Sequence, residues 1–154
     1  MSHAQLDSSK WRRQFIAVEP ALLVADIRAA QEYFFRSLHF PLSYGGFSYE
    51  GDEPSYCQVS RGAVGIGLHQ LPRAARSARR DVRVPAGFAD VVLWLANLGE
   101  YAEEIAADGA VVAEPIRVDE FGLKQMIVED LDGHRIRLIE DQWRDDSWPP
   151  KSVT

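Results

Sequence analysis

Short runs of the chain alternate apolar with small or polar residues, and two of these runs repeat each other. Residues 19–27 read EPALLVADI and residues 90–98 read DVVLWLANL. At an offset of 71, acid meets acid, Leu22 meets Leu93, Ala25 meets Ala96, Asp26 meets Asn97 and Ile27 meets Leu98. In each copy the period-two alternation of a strand runs into an Asp or Asn suited to a helix N-cap, and a helical pattern follows. The first helix, IRAAQEYFFRSL, is predicted from about Ile27 to Leu38. The second, LGEYAEEIAADG, begins at Leu98, with Asn97 and Glu100 at capping-box spacing and Gly109 as its C-terminal cap.

Strand-like stretches follow each helix. They are FPLSYGGFSYE, SYCQVSR and AVGIGLHQ in the first copy, and AVVAEPIRV, LKQMIVED and HRIRLIE in the second. Ile66 and Leu68 match Ile136 and Leu138 at an offset of 70, one residue less, which a single gap explains. The prediction is an α+β chain of two βαβββ modules forming one domain over residues 16–141. Module one covers 16–70, a linker 71–85 and module two 86–141, and residues 142–154 form a tail. One helix covers only one face of a four-stranded sheet. The two modules are therefore expected to pair their bare faces around a concave central cavity.

Alternation also assigns faces. Pro20, Leu22 and Val24, Val64, Ile66 and Leu68, Val91, Leu93 and Leu95, and Ile136 and Leu138 belong under the helices. The opposite face holds Glu19, Ala21 and Leu23, Gly65, Gly67 and His69, Asp90, Val92 and Trp94, and Arg135, Arg137 and Ile139. That mixture of small, aromatic and charged residues has the makings of a pocket with apolar walls and a few convergent polar groups.

Composition narrows the function classes. With 46% hydrophobic and 26% charged residues the chain is an ordinary globular protein. A formal charge of -6 argues against nucleic-acid binding, which needs a positive surface to release phosphate counterions, and mildly favours cationic or neutral small ligands. Cys57 stands alone, which excludes an intrachain disulfide and a cysteine-based zinc site and suggests a buried thiol. The opening MSHAQLDSSKWRRQ lacks the apolar core of a signal peptide, and no run of about 18 apolar residues occurs, so a cytoplasmic protein without a membrane partner is expected. The joining segment LPRAARSARRDVRVPAG has five arginines and one acid, a charge of 5 - 1 = +4. It reads as a solvated loop, or else as a lid gripping phosphate or carboxylate. The tail, DQWRDDSWPPKSVT, reads as a strap over the surface.

The double βαβββ arrangement, the module opening LLVADIRAAQEYFFRSL and the closing VEDLDGHRIRLIE resemble the vicinal oxygen chelate superfamily over residues 16–141. That superfamily contains glyoxalases, bleomycin-resistance proteins, fosfomycin-modifying enzymes and extradiol dioxygenases. The resemblance implies metal ligands, usually His, Gln or Glu, at the start of the first strand of each module and in the middle of the last. Here those positions hold Glu19, Gly67, Asp90 and Arg137. Glu19 and Asp90 could bind a divalent cation, but Gly67 has no side chain and Arg137 is a permanent cation without a lone pair. His69, two residues after Gly67, could serve as a substitute ligand.

No cofactor is expected on this pattern, and no divalent metal to supply the Lewis acid of the usual chemistry. Arg137, Glu19 and Asp90 could instead form an interior ion-pair network, or leave charges for a ligand. In character the chain is closest to metal-free bleomycin-resistance-like members. The leading expectation is a metal-independent protein that sequesters an aromatic or cationic small molecule in the cavity of a homodimer, bound through Glu19, His69, Asp90, Trp94, Arg135 and Arg137. The alternative is a lyase, isomerase or dioxygenase-type enzyme, with Glu19 or Asp90 as general base or with unusual metal ligation. A third class is a partner-binding module using the arginine-rich linker or the tail. His134, beside the turn at Asp132 and Gly133, is expected to be exposed, and His39 to sit at the negative end of the first helix. Neither is expected to be catalytic. No GxSxG elbow, P-loop or HExxH is present.

Overall fold

The computed structural model describes residues 17–45, 54–72 and 87–142. The expectations for the five linker arginines and for the tail lie outside the described residues. The element order is β1 (Ala21–Val24), α1 (Ile27–Arg36), β2 (Leu42–Gly45), β3 (Tyr56–Arg61), β4 (Val64–Gln70), β5 (Val91–Leu95), α2 (Leu98–Ala106), β6 (Val111–Val118), β7 (Lys124–Glu129) and β8 (Arg135–Glu140). This is the predicted βαβββ pattern, twice.

Each helix starts where the sequence places its cap. The Asp26 carboxylate accepts the Arg28 and Ala29 N–H groups at 3.0 and 3.1 Å, and Asn97 Oδ1 accepts the Glu100 N–H at 3.0 Å. These bonds satisfy donors that have no partner within the helix. α1 stops two residues before the predicted Leu38. His39 adopts a φ of 59° there, and Phe40 N–H reaches back to Phe34 O at 2.7 Å. A left-handed residue just past a helix end is normally glycine, so a histidine in its place gives little sequence signal.

Each module forms one four-stranded sheet, ordered β1-β4-β3-β2 and β5-β8-β7-β6. β1 runs parallel to β4 and β5 parallel to β8, while the other neighbours are antiparallel. The parallel registers set Ala21 beside Gly67 and Val92 beside Arg137. Most helix-side positions read from alternation are buried: Val24, Ile66 and Leu68 are fully enclosed and Leu22, Val91, Leu93, Ile136 and Leu138 nearly so, while Pro20, Val64 and Leu95 are half-buried and Ile139, on the opposite face, is buried as well. Cys57 joins them, and burial pushes its thiol up to about 11.

The expected pairing of bare faces does not occur within the chain. One hydrophobic cluster instead takes in the helix sides of both sheets together with Ile27, Phe34, Leu98 and Ile105 from the helices. Polar links cross the same seam. Tyr33 Oη donates to Glu129 O at 2.6 Å and accepts from Val111 N–H at 3.0 Å. Tyr101 Oη donates to Leu38 O at 2.7 Å, and Arg61 pairs with Glu104 while lying 5.1 Å over the Tyr101 ring. His39 stands between Glu104 at 3.2 Å and Asp108 at 2.7 Å. The physical reason is chemical: the helix sides carry continuous apolar surface, whereas the bare faces carry Glu19, Asp90, Arg135 and Arg137, which are costly to remove from water.

The closing turn of module two also ties the modules together. Asp130 Oδ1 accepts the Asp132 and His134 N–H groups at 2.9 and 2.8 Å, its Oδ2 lies 2.8 Å from His134 Nδ1, and Gly133 has a φ of 81°. Asp132 Oδ1 accepts the Ala25 N–H of module one at 2.8 Å. The His134 side chain is only 15% exposed, contrary to the expectation from its place in a turn, because Asp130 draws the ring inward. Among the described residues, no helix is long and apolar enough to cross a membrane.

Candidate functional site

The bare face of module one is organised around Glu19. Its Oε1 accepts the Tyr56 hydroxyl at 2.7 Å and its Oε2 accepts Gln58 Nε2 at 2.9 Å. Tyr56 and Gln58 alternate along β3 with the buried Cys57 and Val59, so both project onto this face. The carboxylate lies directly over Gly67. A Cβ there would overlap Glu19 Oε1 and come within 3.2 Å of Tyr56 Cε2. The absence of a side chain at residue 67 thus makes room for the glutamate. Hydrogen bonding to Glu19 pushes the Tyr56 hydroxyl up to about 12, since an ionised phenol would lose that bond and face a carboxylate. His69 is half-buried at the other end of the face, its ring 4.9 Å from that of Tyr56.

Module two presents a second face, carrying the other four residues singled out. Arg135 is a clamp: Nη2 lies 3.3 Å from Glu114 Oε2, Nη1 lies 3.5 Å from Glu129 Oε1, and Nε donates to Phe88 O at 2.9 Å. Its backbone N–H donates to Asp90 Oδ2 at 3.0 Å, which fixes Asp90 against the start of β8. Arg137 differs. It stands between its register partners Val92 and Ile127, and it forms no ion pair with a described acid. Its Nε is buried without a hydrogen-bond partner. Trp94 pairs in register with Ile139 and is 49% exposed, beside Val92 at 47%.

The structure therefore gathers the six residues into two groups. Glu19 and His69 lie on the first sheet, and Asp90, Trp94, Arg135 and Arg137 on the second. The interior network of Arg137, Glu19 and Asp90 does not form within the chain. Glu19 is held by Tyr56 and Gln58, and its sheet packs against the other through the helix sides. Sequence reasoning missed Tyr56, Gln58, Glu114 and Glu129. The alternation in YCQVSR and KQMIVE could have found Tyr56, Gln58 and Glu129. Glu114 was hidden, because β6 changes register on both sides of it and breaks the period of two.

At the four positions where the resemblance implies metal ligands, Glu19 already accepts two hydrogen bonds, Gly67 offers no donor, Arg137 repels a cation, and Glu19 and Asp90 lie on separate sheets. Asp130, Asp132 and His134 bring three ligand atoms within 4.8 Å of one another elsewhere. Both Asp130 oxygens, His134 Nδ1 and Asp132 Oδ1 are engaged in locking the turn and binding Ala25. Burial opposes the charged form of His134, but the Asp130 hydrogen bond and the Asp130, Asp90 and Asp132 carboxylates outweigh it and raise its pKa.

No family model matches the sequence, and neither does any curated protein. Solved structures do match in shape. TioX from Micromonospora sp. ML1 aligns with a TM-score of 0.62 at 18% identity, over 82% of this chain and 98% of that one. The bleomycin-binding protein from bleomycin-producing Streptomyces verticillus, solved with copper(II)-bleomycin, aligns with a TM-score of 0.60 at 15% identity, over 84% of this chain and 98% of that one. A member of the glyoxalase/bleomycin resistance protein/dioxygenase superfamily from Sphaerobacter thermophilus aligns with a TM-score of 0.56 at 18% identity, over 82% and 98%. The chain shares the fold of these structures, and among the described residues it forms two four-stranded sheets with two helices and no closed barrel.

Proposed function

We propose that this protein is a metal-independent small-molecule binding protein, sequestering an aromatic compound in a cavity that two copies of the chain build together. The observation that carries the reading is the open face of module two, where Trp94 and Val92 stand about half exposed beside the unpaired Arg137. Exposed apolar residues gathered around a few polar groups mark a binding surface. The module-one face is open too, with Leu23 at 55% and Tyr44 at 70% exposed. Laying the first face of one copy over the second face of another covers both. The bleomycin-binding protein of the same fold lends support by its own ligand. The cationic ligand expected alongside the aromatic one needs Glu19 close to Trp94, which only the second copy of such a dimer could supply, and that Glu19 is already held by Tyr56 and Gln58.

The donor chemistry at residues 19, 67, 90 and 137 supports a site that works without a metal. An enzymatic reading needs Glu19 or Asp90 as general base, but both oxygens of Glu19 accept hydrogen bonds and Asp90 accepts the Arg135 N–H. The test is a titration of the full chain with planar aromatic and cationic glycopeptide compounds, followed by tryptophan fluorescence. Metal analysis of protein purified without a histidine tag and sedimentation of the same sample complete it. Saturable quenching by flat aromatic compounds, a dimer and substoichiometric metal are expected. Flat responses throughout, or one divalent metal per chain, would sink the proposal.

A further inference from the structure

Charge on the module-two face is distributed unevenly. Arg135 faces Glu114 and Glu129, Asp90 is fixed by the Arg135 backbone, and toward the other end Asp119 Oδ2 accepts Gln125 Nε2 at 2.9 Å, so each of these acids is already engaged. Arg137 is left among Val92, Ile127 and Ile139, the last two almost fully buried, with its Nε out of water and unpartnered; Gln125 Oε1 and Glu114 Oε2 on the same sheet are likewise buried without a hydrogen bond, but Arg137 carries the unmatched donor. A guanidinium cannot shed its charge to escape such a position. A buried charged donor without an acceptor is costly, and an incoming acceptor recovers that cost. Because the group is planar and forked, the acceptor that suits it best is a planar oxyanion such as a carboxylate.

Trp94 lies one row further along the same face, on the strand next to Arg137. Its register partner is Ile139, whereas that of Arg137 is Val92. A diagonal step of this kind on a sheet spans about 7–8 Å. That is the length of a fused aromatic ring bearing one acid group.

We infer that the ligand of this face is an aromatic acid, its carboxylate seated on Arg137 and its ring laid against Trp94. The inference rests on the small-molecule reading and narrows it, placing an anion where the overall charge of -6 suggests a cation. The local field at the site decides the ligand's charge, and the acids that reach this face are engaged by Arg135 or by Gln125.

The test compares three ligands of one shape by calorimetry on the full chain at low salt: 2-naphthoate, 2-naphthylmethylammonium and 2-naphthalenemethanol. The naphthoate is expected to bind at least about tenfold more tightly than the ammonium. Arg137→Gln should remove that preference while leaving the alcohol unchanged, and Arg137→Lys should keep part of it. Trp94→Ala should weaken all three. The inference is overturned if the ammonium binds as well as the acid or better. It is equally overturned if naphthoate affinity survives Arg137→Gln while the dimer weakens, which would mean that Arg137 meets an acid of the second copy. If none of the three binds and other planar compounds also fail, the small-molecule reading itself falls.

Discussion

Replacing Tyr33 with Phe tests how the two modules are joined. The ring is 8% exposed and its hydroxyl bridges the seam, donating to Glu129 O at 2.6 Å and accepting from Val111 N–H at 3.0 Å. Burial raises the pKa of this hydroxyl, so it stays protonated and able to donate. Removing it strands a carbonyl and an amide while leaving the ring in place. An orphaned buried group costs about 1–3 kcal/mol. Val111 is 49% exposed, so water can reach its amide, and the carbonyl of Glu129 dominates. The expected loss is about 2 kcal/mol, or about 4–8 °C in Tm for a chain of this size. Tyr101→Phe strands only Leu38 O and should cost less. Urea unfolding followed by circular dichroism at fixed protein concentration gives both values. A loss below about 0.5 kcal/mol, within the range of an ordinary surface change, would refute the helix-side seam. So would a wild-type transition in which one module unfolds first.

Two further outcomes follow from the hydrogen bonds. Gly67→Ala must displace the Glu19 carboxylate, a flexible and exposed group, so stability should change little while Tyr56 loses its acceptor. The Tyr56 hydroxyl should then ionise near its ordinary 10 instead of about 12, as it should in Glu19→Gln, and carbon-13 labelling of tyrosine Cζ resolves that titration. An unmoved Tyr56 would mean that the glutamate does not lie on residue 67. For His134, a folded pKa above 6.5 means that its charged form is better accommodated in the native protein than in the unfolded chain. The resulting stability is fully present below pH 6.5 and is lost as pH rises through the raised value. The unfolding free energy of wild type minus that of His134→Gln should therefore fall across that interval, and a constant difference would exclude the Asp130 partnership.

Much of the fold was legible because caps and alternation act locally. Asp26 and Asn97 announce both helices, and Leu22, Ile66, Leu93 and Leu138 mark the buried side of four strands. The arrangement of the modules was less legible. A pattern shows that one sheet face is bare, but not whether that face meets its counterpart in the same chain, in another chain, or in neither. The partners of the site residues were hidden for a related reason. Glu19 reaches its place through side-chain length, crossing from the start of β1 to Tyr56 and Gln58 on β3, and nothing in the spacing of residues 19, 56 and 58 records that reach. His134 escaped in the same way, since a turn residue is exposed by default and only the Asp130 carboxylate draws it in.

Gly67 and Arg137 break the metal pattern in different ways, and the difference bears on what the site became. At residue 137 a permanent cation stands where the resemblance implies a metal donor. At residue 67 the loss of a side chain admits Glu19 into the vacated volume, where Tyr56 and Gln58 hold it. Any new ligand there must first evict the glutamate and leave a phenol and an amide without their acceptor. Restoring a donor at 67 therefore removes Glu19 from its present geometry, and restoring one at 137 leaves residue 67 without a donor. Even both changes together put their donors on separate sheets, which meet through their helix sides. The Glu19 arrangement thus satisfies its own hydrogen bonds, whereas Arg137 Nε is, among the described residues, a buried charged donor whose chemistry still asks for a partner.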